Sequence, residues 1–219
     1  MDYKVVQADE NWFRENISCQ YACPVNTPAS SYIERIQEGD YDSALGLNYM
    51  ANLFPHILGR VCTHPCESAS RRGKIDEPVS ICSLKRVAAD FAKKEYPKRD
   101  LSKKKKTGKK RKVAIIGAGP SGLAAGNDLA VMGHDITIFE ALPMAGGMLS
   151  VGIPPYRLPW NKIDGAVDWV EKLGINLKLK SPINSLDKFD KLVKKYDAVY
   201  IAAGAHKSMA LEIPGEDLK

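Results

Sequence analysis

The segment "KVAIIGAGPSGLAAGNDLAVMG" constrains this chain more than any other. A short apolar run leads into Gly117, Gly119 and Gly122, spaced G-x-G-x-x-G, and then into a helix-forming stretch that closes at Gly133. A strand that turns directly into a helix needs glycine for the tight turn, glycine where a ligand approaches the backbone, and glycine where helix meets strand. Pro120 and Ser121 sit at the start of that helix, whose free N–H groups and positive dipole end accept a pyrophosphate. A second apolar run, "DITIFE", ends at Glu140, 21 residues after Gly119, where a carboxylate can accept hydrogen bonds from ribose hydroxyls. Strand, glycine turn, helix and acid together predict a dinucleotide site.

The residues that follow keep the same alternation. "IDGAVDWVEKLG" reads as a helix, "INLKLK" as a strand, "SLDKFDKLVKKY" as a helix and "DAVYIAAG" as a buried strand. Such alternation implies a parallel sheet covered by helices. Upstream, the pattern is helical only: "SSYIERIQEG", "DYDSALGLNYMAN" and "EPVSICSLKRVAADFAKKE", the last with Ile81, Leu84, Ala88 and Phe91 in one apolar stripe. The expected fold class is therefore α+β in two domains: a helical domain over 1–97, a basic linker over 98–112, and an incomplete Rossmann-like α/β domain over 113–219.

The linker accounts for the charge. Residues 98–112 hold ten basic residues against one acid, so +9 of a chain whose net charge is +6, leaving −3 elsewhere. Like charges at that density repel, stay solvated and resist folding. No aromatic residue interrupts the run for base stacking, so a tether is expected rather than a nucleic-acid contact. No stretch reads as a secretion signal or a membrane span, which points to a cytoplasmic protein without membrane insertion.

Five cysteines in such a chain argue for metal or redox chemistry rather than structural disulfides. Cys19 and Cys23 lie four apart, as do Cys62 and Cys66 in "GRVCTHPCES", on the loop expected between the second and third helical segments, and Cys82 falls in the third. Thiolates packed together repel, so a metal centre would keep them ionised. An iron–sulfur cluster and zinc both suit the spacing. For zinc, His64 could complete a Cys3His set, although zinc hooks are usually tighter; a buried, hydrogen-bonded histidine is the plainer reading.

Taken together, "CQYACPVNTPASSYIERIQEGDYDSAL", "GRVCTHPCE", "EPVSICSLKR" and the glycine motifs through "GIPPYRLP" resemble, in order, one family. It comprises the small subunit of bacterial glutamate synthase, dihydropyrimidine dehydrogenase and related flavin-based electron-transfer subunits. The resemblance implies a [4Fe–4S] cluster in the helical part and FAD in the α/β part. Gly146 and Gly147 then lie over the pyrophosphate, Ala203 and Gly204 pass close to the flavin nucleotide, and Arg157 contacts the flavin cofactor. Two-cluster members of the family have further cysteines before the position of Cys19 and none precedes it here, so a single cluster is expected, held by Cys23, Cys62, Cys66 and a fourth thiol, Cys19 or Cys82. Cys19 is preferred because it shares a helical face with Cys23. Ser70 stands where many relatives have another cysteine.

No second glycine fingerprint is present, so the NAD(P)H site is expected outside this segment, and a fragment or a completing partner is implied. The expected role is an electron-transfer module between NAD(P)H and an electron-accepting or catalytic partner subunit, with no side chain acting as acid or base. The alternative is a zinc-stabilised nucleotide-binding interaction module without redox activity. One prediction belongs to the linker: replacing several of its lysines with glutamine should leave flavin and iron content unchanged, whereas loss of either would show the run to be structural.

Overall fold

Short polar caps decide where the first helices begin. In the computed structural model, which describes residues 8–93, 108–206, 209–210 and 212–216, Asp9 accepts the Trp12 N–H at 2.8 Å and opens α1 (Glu10–Asn16). α2 (Ser18–Ala22) and α3 (Ala29–Gln37) follow, and Asp40 caps α4 (Tyr41–Ala51) through Ser43 N–H at 3.0 Å. The stretch expected to be a loop contains two further helices, α5 (Pro55–Val61) and α6 (Pro65–Ser68), then a 3₁₀ turn over Arg71–Lys74. Both helices carry proline in their first turn, where its missing N–H costs nothing.

α7 (Ile81–Phe91) departs from its expected apolar stripe. Ile81 and Ala88 are buried, Leu84 is half-buried, and Phe91 is 64% exposed, resting against Tyr41. The position that turns inward instead is Lys85. α5 and α7 cross at Gly59, where an added Cβ would sit 2.8 Å from the Arg86 Cα. Only glycine permits that approach.

The second half is a four-stranded parallel sheet in the order β3-β2-β1-β4, with β1 Lys112–Ile116, β2 Asp135–Phe139, β3 Asn176–Lys178 and β4 Ala198–Ile201. Val113, Ala114 and Ile115 of β1 are all buried, as in a sheet covered on both faces. α8 (Pro120–Val131) crosses from β1 to β2. α9 (Met148–Val151) and α10 (Trp160–Lys172) lie between β2 and β3, and α11 (Leu186–Lys195) precedes β4. β4 was expected to be buried and is not: it pairs with β1 alone at the sheet edge, with Tyr200 42% and Ile201 62% exposed.

Residues 94–107, most of the expected tether, lie outside the described residues. The end of the basic run belongs to the sheet: Lys112 opens β1 and its N–H donates to Asp197 at 2.7 Å, while Lys110 pairs with Asp135 at 2.6 Å. Asp197 also lies 3.4 Å from the Arg111 guanidinium, so two carboxylates at the strand ends face two charges of the basic run.

The two halves share one core. Leu53, Phe54 and Ile57 of the helical half pack in the same buried cluster as Ile115, Ile138, Ile163 and Val170. Beside it, Arg60 on α5, its side chain only 7% exposed, bonds Asp90 on α7 at 2.6 and 2.8 Å, and Lys162 on α10 lies 3.7 Å from the same carboxylate. Burial would raise the Asp90 carboxyl, but Arg60, with Arg86 and Lys162, brings it below the usual carboxylate range.

A depressed folded-state pKa contributes stability that is present above the unfolded value, near ~3.9, and lost as pH falls through the lower folded one. Asp90→Asn should therefore destabilise the protein at neutral pH by about 1–3 kcal/mol, the scale of a charge-assisted hydrogen bond at a partly exposed site. Chemical denaturation at pH 7 and pH 3 checks this, and the gap between variant and native should narrow at the lower pH.

A candidate dinucleotide site beside a thiol pocket

The glycine turn is closed by backbone contact. A Cβ on Gly122 would fall 1.9 Å from the Gly117 carbonyl oxygen, and one on Gly117, at φ +106°, would fall 2.3 Å from the Ala202 oxygen. Gly147, at φ +54°, lies over the turn so tightly that its Cβ would meet the Gly119 Cα at 2.9 Å, and the Gly146 N–H donates to the Ala118 oxygen at 2.8 Å. Gly119 itself faces open space, its nearest neighbour for a Cβ being Gly147 at 3.9 Å. That space belongs to a cavity of about 850 Å³ lined by Gly117, Gly119, Pro120, Ser121, Glu140 and Gly147, with Ala203 and Gly204 on its far wall. Gly119 caps α8 with no side chain over the helix start, leaving the N–H groups of its first turn free for an anion.

Glu140 has two tasks here. It is 5% exposed; one carboxylate oxygen accepts the Ala118 N–H at 2.7 Å and the other the Leu142 N–H at 2.8 Å. A carboxylate offers about four lone-pair sites, so two remain for ligand hydroxyls. The residue expected to read a ribose therefore also pins the phosphate-binding turn. Gly122 and Gly146 support that turn from outside the cavity lining, and Arg157 lies elsewhere, exposed on the segment after α9.

The Cys82 thiol is raised by burial, with Cys62 and Glu67 adding to the rise and Lys85 and, least, Arg157 opposing it. The five thiols, all free, come from α2, its C-cap Cys23, the C-cap of α5 (Cys62), α6 and α7. Tyr32 stands among them, fully buried, its hydroxyl donating to the Ile81 oxygen at 2.8 Å. Burial, then the charges of Cys66, Cys82, Cys23 and Cys19, push its phenol upward.

Cys66 is buried, and desolvation raises it to about 11 despite Lys85; Cys23 and Cys62 add to the rise. Cys23 is lowered: desolvation opposes, but the Thr27 hydroxyl, backbone N–H groups and the Lys85 charge outweigh it. Ionising these thiols together in such a pocket requires a compensating cation, which suits a metal centre. Among the described residues, no three His, Cys, Asp or Glu side chains form a group that could hold a single metal ion.

The loop between Cys62 and Cys66 is shaped by His64, whose left-handed backbone (φ +44°) turns its N–H onto the Cys62 sulfur at 3.3 Å. The His64 side chain is not buried as expected: it is 49% exposed and lies 3.1 Å from Glu67. The other oxygen of Glu67 accepts the Cys82 N–H at 2.8 Å, tying the loop to α7. Ser70 accepts the Val79 N–H at 3.4 Å, a backbone role. Lys85 and Glu67 were missed from sequence. The available signal for Lys85 was its place four residues after Ile81, on the face that the apolar stripe buries.

Glu140→Ala should weaken flavin retention by about 1–3 kcal/mol and also lower the melting temperature of flavin-free protein, because Ala118 and Leu142 lose their acceptor. Titration of the stripped protein with FAD, alongside a melt without it, measures both. An unchanged flavin-free melt would remove the turn-pinning task.

Comparison with known proteins agrees with both halves. Residues 5–96 match the family described as dihydropyrimidine dehydrogenase domain II, 4Fe–4S cluster, and residues 111–219 match pyridine nucleotide-disulphide oxidoreductase. The chain is 39% identical over 218 residues to the NADP(+)-dependent formate dehydrogenase subunit beta of Moorella thermoacetica, covering 91% of this chain and 31% of that protein. It is 39% identical to the NADPH-Fe(3+) oxidoreductase subunit beta of Geobacter sulfurreducens, covering 91% and 30%. To the glutamate synthase [NADPH] small chain of Bacillus subtilis it is 34% identical, covering 90% and 40%. The chain thus spans 30 to 40% of these relatives' lengths. With an iron–sulfur half joined to a pyridine nucleotide oxidoreductase half, the chain belongs to the FAD and iron–sulfur NAD(P)H oxidoreductases that include the glutamate synthase small chain.

Proposed function

We propose that this chain is the electron-transfer module of an NAD(P)H-dependent flavin and iron–sulfur oxidoreductase. The observation that carries the reading is a glycine-lined dinucleotide cavity and a set of five free thiols carried by two halves that share one buried core. When bound, FAD exchanges a hydride for single electrons, and a [4Fe–4S] cluster carries electrons singly.

The residues present fit both groups. Gly119 and Gly147 leave a backbone cradle that a side chain would fill, and Glu140 keeps acceptor capacity for a ribose. Ser121 and Gly122 present N–H groups at the helix start to a pyrophosphate, and Ala203 and Gly204 border the nucleotide; Arg157, for which the family likeness implies a flavin contact, lies outside the cavity lining. Cys19, Cys23, Cys62 and Cys66 hold the cluster, with Cys82 the competing fourth ligand. No side chain is assigned an acid or base role; the chain positions, insulates and tunes.

The hydride comes from NAD(P)H bound outside this segment, and the electrons leave to a partner subunit. Five free thiols suit the reducing cytoplasm, the compartment we assign. No helix among the described residues is long and apolar enough to cross a membrane.

The test is an absorbance spectrum with iron and sulfide analysis on anaerobically purified protein. Flavin bands with about four irons and four sulfides per chain are expected; colourless protein with stoichiometric zinc would overturn the reading. Serine at Cys23, Cys62 or Cys66 should abolish the cluster, since a hydroxyl is a poor substitute for a soft thiolate. Cys19→Ser should lose iron while Cys82→Ser keeps it, and the reverse would move the fourth ligand to α7.

A further inference from the structure

The edge strand β4 carries one polar side chain. Of its four residues only Tyr200 has a hydrogen-bonding group, and that residue is 42% exposed. An exposed tyrosine ordinarily leaves its hydroxyl to water. Here the hydroxyl instead meets the Ser121 Oγ at 2.8 Å, across 79 residues of chain. Among the described residues neither hydroxyl has another hydrogen-bond partner. Ser121 stands in the first turn of α8, two residues after the Gly119 cap, and lines the dinucleotide cavity with Gly119 and Glu140. Tyr200 pairs with Ile115 of β1, the strand that leads into the glycine turn, so the contact ties the sheet edge to the helix start.

The 2.8 Å separation allows either hydroxyl to donate. A serine hydroxyl has one proton and two acceptor lone pairs. With that proton on Tyr200, Ser121 could offer an anion at the helix start only a lone pair, which repels it. With the phenol donating to the Ser121 Oγ, the serine proton is free for the anion and every donor has an acceptor. Hydrogen bonds chained in this way polarise and strengthen one another. A bound anion therefore selects the second orientation.

We propose that Tyr200 is a positioning residue for the pyrophosphate of the dinucleotide: it donates to Ser121 and so presents the Ser121 hydroxyl proton to a phosphate oxygen. The assignment rests on the dinucleotide reading given above. No covalent bond forms or breaks. Tyr200 is absent from the cavity lining and acts through Ser121, adding one oriented side-chain donor to the backbone N–H groups of α8.

The experiment is a double-mutant cycle on the flavin-free protein: native, Tyr200→Phe, Ser121→Ala and the double variant. Each is checked by far-ultraviolet circular dichroism, titrated with FAD by fluorescence, and then challenged with ADP as a competitor, which shares the pyrophosphate and lacks the flavin. Tyr200→Phe keeps the ring and removes only the hydroxyl. It should weaken FAD and ADP alike by about three- to tenfold, the scale of one hydrogen bond. Ser121→Ala should lose at least as much, and adding Tyr200→Phe to it should cost nothing further.

Unchanged affinity in Tyr200→Phe overturns the proposal. So do losses that multiply in the double variant, which would give the tyrosine a packing role independent of Ser121. A loss for FAD that ADP does not share overturns it as well, since the tyrosine would then act at the flavin end. Native protein that binds neither FAD nor ADP would instead overturn the dinucleotide reading itself, an outcome distinct from these.

Discussion

Bringing several thiols into one poorly solvated pocket is an electrostatic problem, and much of the helical half is arranged around it. Burial, with Cys23, Cys62 and Glu67 adding to it and Lys85 opposing, drives Cys66 toward its neutral form, to about 11. The chain answers locally: the Cys23 thiol donates to the Thr27 hydroxyl at 3.5 Å, the His64 N–H donates to the Cys62 sulfur at 3.3 Å, and the Lys85 charge helps to lower Cys23. Tyr32 fills the space between with a ring whose hydroxyl is already committed to the Ile81 oxygen. These contacts moderate the repulsion but leave a need for positive charge, which metal ions supply.

The α/β half meets a different constraint, the steric room a pyrophosphate needs. Gly117 and Gly122 close the turn against backbone oxygens, and Gly147 presses on Gly119 from above. Glu140 then holds Ala118 and Leu142 in place before any ligand arrives. Preorganisation of this kind lowers the ordering cost of binding. The shared core at Leu53, Phe54 and Ile57 fixes this cavity relative to the cysteines, which a tether alone could not do.

Much of this was legible in the residues. The strand–turn–helix of 112–131 and the acid at Glu140 follow from local rules, because glycine geometry and strand period act over a few residues. The family order of the cysteine motifs gave the likeness that the comparisons bear out. What escaped was set by long-range packing. α5 and α6 were read as loop because proline punctuates loops as readily as it opens helices. β4 has the composition of an inner strand, yet its place at the sheet edge depends on strand order, which composition does not encode. Lys85 breaks the apolar stripe of α7 at a buried position, which its residue type does not announce. Spacing alone pointed Glu140 toward a ribose, while its hold on Ala118 appeared only in three dimensions.

The crossing of α5 and α7 at Gly59 has a mechanical consequence. Cys62 terminates α5 and Cys82 opens α7, and between them the two backbones touch without an intervening side chain. Side chains can change rotamer and let helices slide; backbone against backbone cannot. The two sulfurs are therefore mounted on a stiff frame whose spacing is insensitive to small changes in charge. Any side chain at Gly59 would push α5 from α7 and carry Cys62 away from Cys82, so a residue with no functional group sets the distance between two thiols.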